Sequence, residues 1–398
     1  MSTAESRNPI MSPKALRVMH VIPTLGAGGA EKLVASLASG PPHPQVTYTV
    51  VSLYARSHSD LEADLQTAGV DVQYLNKHLG IDVSVILPLQ RLMRLWRPDI
   101  VHSHLYAAKY VLAAAVLAGL RTPVVHTCHS LASHDLSGPA DRAVQRLALR
   151  TSRVVVVGVS ESTSKSLKDT YGLDTVPTIL NGIELGRFDI PARPRGGRGL
   201  IYCDVANFSP WKGHEYLIRA FAKVHEQLSA STLLLAGNGP LLEHSRQLAQ
   251  DLHLGSSVVF LGHVSDIPAL LASSDVFVVP SLWEGFCLAL VEAQASGLPA
   301  VVSAVGGIPE VVRAGLDGLL VPPANVNELA AAMLVLGRDR DLRQQMGQAA
   351  RDGSRRFDIA TTRAAYESLY HDVLDGRLRQ NIRSKARCWI HRDHVSGS

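Results

Sequence analysis

Two carboxylates stand close together in WEGFCLALVEAQASG (283–297), Glu284 in a glycine-containing loop and Glu292 on a short Ala-rich helical run. Such a pair could serve as the acid and base of glycosidic-bond hydrolysis, with their separation setting the stereochemistry. These two lie on one loop–helix segment, whereas catalytic carboxylates in a cleft usually converge from different elements, and that weighs against the hydrolytic reading. A carboxylate also accepts two hydroxyl donors at once, which suits a vicinal diol. A helix beginning near Leu288 leaves the backbone N–H groups of Phe286, Cys287 and Leu288 free. The segment therefore offers a carboxylate for a sugar, N–H donors for a diphosphate and a second carboxylate for a ribose. The plainer alternative is a pair of partly exposed helix-start acids stabilised by the dipole.

A second stretch, ANFSPWKGHE (206–215), sets Lys212 and Gly213 just before a helix starting near His214. A lysine at a helix N-terminus opposes the dipole, and it becomes sensible if an anion sits between the two. The plainer reading is a flexible surface lysine. In LGAGGAE (25–31), Gly28 and Gly29 would let backbone N–H groups approach an anion at a helix start, although the spacing is neither GxGxxG nor a Walker loop. AGNGP (236–240), with Gly239, and GHVSD (262–266), with Val264, are turns that could border a nucleobase; Asp266 suits the N-cap of IPALLASS. Histidines gather at His102, His104, His126 and His129, near strand ends. No cysteine or carboxylate cluster completes a zinc site around them, so no metal is expected. A histidine reaching into a cleft toward sugar hydroxyls or phosphate is the sharper reading, and a satisfied core histidine the plainer one, above all for His126.

Elements that would position these residues alternate along the chain. Strand-like runs fall at 17–22, 47–53, 99–104, 124–128, 153–160, 200–206, 231–237, 257–262, 274–281 and 299–304. Several are continuously apolar, as parallel strands covered on both faces are. Helical patterns such as EKLVASLA (31–38), EYLIRAFAKVHEQL (215–228) and PLLEHSRQLAQDLH (240–253) lie between them. Repeated βα units predict an α/β doubly wound sheet. The plan occurs twice, separated by ELGRFDIPARPRGGRG (184–199), a linker composition. Two Rossmann-like domains are expected, 1–190 and 191–360, facing each other across a cleft at the carboxyl ends of their strands.

The chain has 398 residues, 46% hydrophobic and 19% charged, enough for two packed cores. The first fourteen residues carry no apolar run and read as a frayed terminus rather than a secretory signal. The longest apolar stretch, VLAAAVLAGL (111–120), is about half a bilayer span and reads as a buried helix. Four scattered cysteines look like reduced cytosolic thiols, so a cytoplasmic location is expected. Of the net charge of +4, residues 376–398 hold +5. This basic tail is either a solvated, mobile end or an attraction to anionic headgroups at the inner face of the membrane. LPLQRLMRLWRP (87–98), with Arg91 and Arg94 beside Leu and Trp, favours peripheral contact. No broad basic face with interleaved aromatics suggests nucleic acid.

Taken jointly, these motifs resemble glycosyltransferase family 4, the retaining sugar-nucleotide transferases of GT-B architecture. The resemblance covers about residues 16–375 and is most specific over 277–312 and DGLLVPP (317–323), with the E-x7-E as Glu284 and Glu292. GGAEK (28–32), VHSHL (101–105), HTCHS (126–130), VSES (159–162), NGIE (181–184) and WKG (211–213) add to it. It implies transfer from a nucleoside-diphosphate sugar, a UDP-sugar first, to a hydroxyl acceptor (a glycan, a lipid-linked group or a small molecule), with no cofactor and no metal. It implies that Glu284 contacts the donor sugar, that N–H groups at 286–288 hold sugar and diphosphate, and that Glu292 binds the ribose. Lys212 would neutralise the diphosphate, His129 would lie near the transferred sugar, and Gly28 and Gly29 would approach the diphosphate or an acceptor phosphate. It also implies a terminal helix, within 361–375, crossing back to the first domain. Asn207 stands where many members carry an Arg, which removes half of the usual cationic clamp. The rival readings are a sugar-nucleotide epimerase or hydrolase of the same architecture, and a partner subunit that binds a sugar nucleotide without turning it over.

Overall fold

The computed structural model describes residues 15–378 apart from Ala27 and the stretches 41–44, 133–138 and 191–198. The N-terminal segment read as frayed, the tail from residue 379 and the middle of the linker lie outside the described residues.

The first half runs β1 (Leu16–Ile22), α1 (Gly29–Ala38), β2 (Val46–Ser52), α2 (Asp60–Thr67), β3 (Asp71–Tyr74), α3 (Ile86–Trp96), β4 (Ile100–His104), α4 (Ala108–Ala118), β5 (Val124–Cys128), α5 (Pro139–Leu149), β6 (Val154–Gly158) and α6 (Glu161–Tyr171). Its six strands pair in parallel in the order β3-β2-β1-β4-β5-β6. The second half repeats the plan with β7 (Ile201–Val205), α7 (His214–His225), β8 (Thr232–Ala236), α8 (Leu242–Asp251), β9 (Val258–Gly262), α9 (Ile267–Ala272), β10 (Val276–Val279), α10 (Leu288–Ala295), β11 (Ala300–Ser303), α11 (Ile308–Val311) and β12 (Gly318–Val321). Its order is β12-β11-β10-β7-β8-β9, the same doubly wound order read from the other edge. Three further helices close the chain: α12 (Val326–Arg338), α13 (Arg340–Ser354) and α14 (Ile359–Leu374).

The continuous apolar runs explain the central strands. Val276, Phe277, Val278 and Val279 of β10 are all buried, because helices cover both faces of the sheet. Side-chain caps fix several helix starts: Ser160 accepts from Thr163 N–H, Asp266 from Ala269 N–H and Asn325 from Glu328 N–H. Two strands escaped the sequence reading, β3 and β12, and both are edge strands, at opposite ends of the doubly wound order. Each has four residues and a half-buried pattern, since an edge strand has one neighbour and less apolar surface to cover.

Helices α3, α4 and α5 form the layer on one face of the first sheet, packed over Met19, Val21, Val101 and Val124. On the other face, Tyr366, Leu369, Tyr370 and Val373 of α14 pack with α1 against Val18, Ile100 and Val125. The last described helix therefore returns to the first sheet. The apolar stretch 111–120 differs from its expected burial: Ala114 and Ala115 face the core of the first half, but Val116 and Leu117 stand exposed. A helix with only one neighbouring layer has one buried stripe, whatever the composition of its other face. Among the described residues, no helix is long and apolar enough to cross a membrane.

Candidate functional site

The candidate residues sit on loops and in the first turns of helices at the carboxyl ends of the strands, where the two halves meet. The loop after β7 carries Lys212. Gly213 follows it with φ +73°, and a Cβ there would lie 2.2 Å from the Pro280 carbonyl oxygen, so only glycine allows this turn against the neighbouring strand end. His214, the first residue of α7, stacks on Phe208 with ring centroids 4.0 Å apart, and its Nε2 lies 3.2 Å from Asp204 Oδ2. Trp211 stacks on Trp283 at 5.2 Å, and Leu282 N–H donates to the Trp211 carbonyl at 2.8 Å. The loops after β7 and β10 are thus joined.

Joining them brings Lys212 to Glu284. Lys212 Nζ donates to Glu284 Oε1 at 2.5 Å, and Ser281 Oγ donates to the same oxygen at 3.0 Å. Burial works to lower the lysine's pKa, but Glu284, with Cys287 and Asp204, raises it above the ordinary value, so the ammonium is retained at neutral pH. The lysine is therefore no flexible surface group. The anion it meets in this structure is the first carboxylate of the pair.

The second carboxylate is also buried: Glu292 is 3% exposed and Glu284 7%, against the reading of partly exposed helix-start acids. Glu292 Oε1 accepts from Lys32 Nζ at 2.7 Å, while its Oε2 is buried without a partner. Lys32 lies in the first turns of α1, in the other half. The sequence reading quoted it within GGAEK but gave it no role. The signal was present, because a cation near a helix N-terminus is the anomaly that singled out Lys212.

The starts of α1 and α10 confront each other. A Cβ at Gly29 would lie 3.6 Å from Leu288 Cδ1. Gly28 is the N-cap of α1 and Cys287 that of α10. Two helix N-termini and two ammonium groups therefore surround two carboxylates, an arrangement suited to an added polyanion with hydroxyl groups. Burial pushes the Cys287 thiol up to about 12, with Glu284 adding to the effect, so it is protonated at neutral pH. Phe286, Cys287 and Leu288 are buried, and their side chains join the apolar core beneath the loop.

Other contacts cross the seam. Ser160 Oγ donates to the Gly285 carbonyl at 2.7 Å, and a Cβ at Gly285 would lie 2.3 Å from the His129 carbonyl oxygen. The Glu310 carboxylate accepts from the backbone N–H groups of Glu161 and Ser162, at 2.8 and 2.9 Å, capping α6 from the opposite half. Asn207 is exposed, its Oδ1 accepting from Ser209 Oγ at 2.8 Å. Gly239 backs onto Phe208, and Val264 is half-buried in the turn after β9.

The histidines are arranged differently from the sequence expectation. His104 does not reach the seam: it is fully buried, with one ring nitrogen 3.0 Å from His20 Nδ1 and the other 3.1 Å from His129 Nε2. Its strand alternation turns it inward behind His129, so the assignment to the phosphate or acceptor side is corrected. His102 is likewise occupied, by Tyr370 OH at 2.7 Å and Thr127 Oγ1 at 2.8 Å. His126 is in the core, bonded through Nδ1 to Ser103 Oγ at 2.9 Å. His20, which the sequence reading did not single out, lies with His102 and His104 close enough for three imidazoles to share an ion, but of their six ring nitrogens only His20 Nε2 lacks a hydrogen-bond partner.

Residues 27–187 match the family model described as Glycosyltransferase Family 4, and residues 189–353 match that described as Glycosyl transferases group 1. The chain is 31% identical to an N-acetyl-alpha-D-glucosaminyl L-malate synthase of Bacillus anthracis, over 69% of this chain and 75% of that protein. It is 28% identical to a UDP-Gal:alpha-D-GlcNAc-diphosphoundecaprenol alpha-1,3-galactosyltransferase of Escherichia coli, over 74% of this chain and 80% of that protein. In fold it is similar to Anabaena Alr3699/HepE in complex with UDP and glucose, with a TM-score of 0.77 and 21% identity over 90% of this chain and 100% of that one.

Proposed function

The chain is a glycosyltransferase, belonging to the group 1 glycosyl transferases, and from that premise we propose that it moves a sugar from a uridine diphosphate sugar to a hydroxyl acceptor with retention of anomeric configuration. The observation that carries this reading is the buried Lys212–Glu284 contact at the start of α10. The donor diphosphate takes the place beside Lys212 and the free N–H groups of Phe286, Cys287 and Leu288. Glu284 accepts from sugar hydroxyls, and Glu292 accepts from the ribose diol through Oε2, the oxygen that has no partner here. Lys32 supplies the second cation that Asn207 cannot. Support for uridine comes from the fold relatives that hold UDP or UDP-glucose.

In the step itself, the acceptor oxygen bonds to the anomeric carbon as the bond from that carbon to the diphosphate oxygen breaks. The acceptor's proton passes to the leaving diphosphate on the same face. Charge grows on the diphosphate, and preorganised donors aimed at it are the main lever. Lys212 and the two helix starts supply that without a metal ion. Closure of the halves excludes the water that would hydrolyse the donor.

The acceptor side we assign to a membrane surface. Helix α3 exposes Leu87, Arg91, Arg94 and Leu95 along one face, with Leu95 81% exposed. Leu79, Ile81, Val116, Leu117 and Leu147 extend the exposed apolar surface over the same helix layer. From Leu79 to Ala132 there are two acids, Asp82 and Asp99, and Asp99 accepts from Arg17 N–H at the start of β4. Apolar groups interleaved with arginines and almost no acids suit an anionic leaflet.

The test is thermal stabilisation by UDP, GDP, ADP and their sugar conjugates. A ligand present at 100 times its Kd adds about 2.7 kcal/mol to stability. UDP compounds are expected to stabilise most. No response to any nucleoside diphosphate would defeat the reading.

A further inference from the structure

The loop that carries Glu284 is held from both halves. On its own side, Gly307 N–H donates to the Glu284 carbonyl at 3.2 Å. Gly306, at φ +52°, sits so close that a Cβ there would overlap the same oxygen. On the side of the first half, the Gly285 carbonyl accepts from Ser160 Oγ at 2.7 Å. Thr163 Oγ1, 2.9 Å from Ser160 Oγ, stands 3.4 Å from that carbonyl. Both hydroxyl residues are fully buried, so whichever of them donates, the Gly285 carbonyl is satisfied from the start of α6.

Three residues beyond Gly307 the seam is bonded in the opposite direction. The Glu310 carboxylate gives one oxygen to Glu161 N–H at 2.8 Å and the other to Ser162 N–H at 2.9 Å. A helix start favours a carboxylate, and two charge-assisted bonds from one group fix its orientation. Arg356 Nη2 donates to the carbonyls of Glu310 and Val311 at 3.1 and 2.7 Å, which steadies the short helix α11 that carries Glu310. One helix start therefore grips the second half twice, at Gly285 through a hydroxyl and at Glu310 through backbone N–H groups. Between these points Gly306 and Gly307 back onto Glu284 and Gly285, with no room for a Cβ. The Glu284 side chain that this backbone aims rests on Lys212 and Ser281, both of the second half.

We propose that Ser160 and Glu310 are positioning residues for Glu284: the start of α6, pressed on the second half, sets the Glu284–Gly285 peptide, so the sugar end of the donor site is complete only where the halves meet. Both residues act through the loop. A misplacement of about 1 Å in such a site can cost about 100-fold in rate, so the aim of the carboxylate matters as much as its presence. Lys212 and Glu292, at the nucleotide end, have no bond to α6 and do not share this dependence. The role toward the sugar rests on the donor site proposed above, whereas the coupling of α6 to the loop does not.

Two measurements on the full-length protein read the two parts. Hydrogen exchange reads the coupling at the amides of Leu282 and Gly307, which bond the Trp211 and Glu284 carbonyls on either side of the loop. Glu310→Ala, and Ser160→Ala combined with Thr163→Val, are each expected to speed exchange at both amides about tenfold, with β4 and β10 as in the wild type. Glu310→Gln keeps an oxygen for one of the two N–H groups and is expected to fall between, a graded rescue that loss of packing would not give. Unchanged exchange at Leu282 and Gly307, or equal acceleration in β4 and β10, overturns the coupling. Calorimetric titration with UDP and UDP-glucose reads the role toward the sugar. The same variants are expected to weaken UDP-glucose about tenfold and UDP less than about threefold, because only the sugar reaches Glu284. Equal losses for the two ligands would overturn the sugar role while leaving the coupling intact. A wild type that binds neither defeats the donor site itself, and exchange alone then decides the coupling.

Discussion

Lys32 Nζ and Glu292 Oε1 meet at 2.7 Å although 260 residues separate them in the chain, and the contact joins α1 of one half to α10 of the other. Glu292 is buried and the lysine about one-third exposed, so the pair is poorly screened by solvent. Lys32→Met and Glu292→Gln should each destabilise the protein, and the double variant should be less destabilised than their sum. A coupling on the order of 1 kcal/mol is expected from urea unfolding of the four proteins. Strict additivity would mean that the contact holds nothing together.

Lys212→Ala and Glu284→Gln remove the two partners of the other buried contact at the seam. Each should lower sugar transfer by about 100-fold or more, the size usual for loss of one preorganised donor. Cys287→Ala should leave transfer within a few-fold of wild type, because the thiol is protonated and its position contributes backbone N–H. Initial rates with saturating UDP-sugar separate the cases. Near-normal turnover by Lys212→Ala would remove the ammonium from the mechanism.

The buried histidines make stability depend on pH in a particular window. Burial lowers the pKa of His20 to about 3 and that of His126 to about 4, from 6.5 when unfolded. A depressed folded pKa means the unfolded chain binds the proton first. Their stabilising contribution is therefore complete above pH 6.5 and is lost as pH falls toward 4. Each such histidine lowers stability by up to about 1.4 kcal/mol per pH unit within the window. Denaturant midpoints at pH 7.5, 6.5 and 5.5 should drop steeply only over the lower interval; a flat response would show that these imidazoles are not held neutral.

Membrane contact should depend on the exposed face of α3. Leu87→Glu with Leu95→Glu should reduce co-flotation with vesicles containing anionic lipid, and transfer to a small soluble acceptor should be unaffected. Neutral phosphatidylcholine vesicles should bind the wild type weakly. Equal binding of wild type and variant to anionic vesicles would place the contact elsewhere.

Much of this molecule was legible without coordinates. Ten of the twelve described strands were legible as strand-like runs, several of them continuously apolar because parallel strands covered on both faces have few polar positions to interrupt them. The two that did not, β3 and β12, are half-covered edges whose sequences resemble those of loops. Lys212 and Glu284 were recognisable from local chemistry: a cation out of place at a helix start, and an acid in an apolar segment. Which partner each would find was not recognisable. Lys32 on Glu292, Glu310 capping α6 and His104 locked between His20 and His129 all join residues distant in the chain. Periodicity and local electrostatics fix what a residue needs, whereas long-range packing decides which neighbour supplies it, and only the assembled fold brings those neighbours within hydrogen-bond distance.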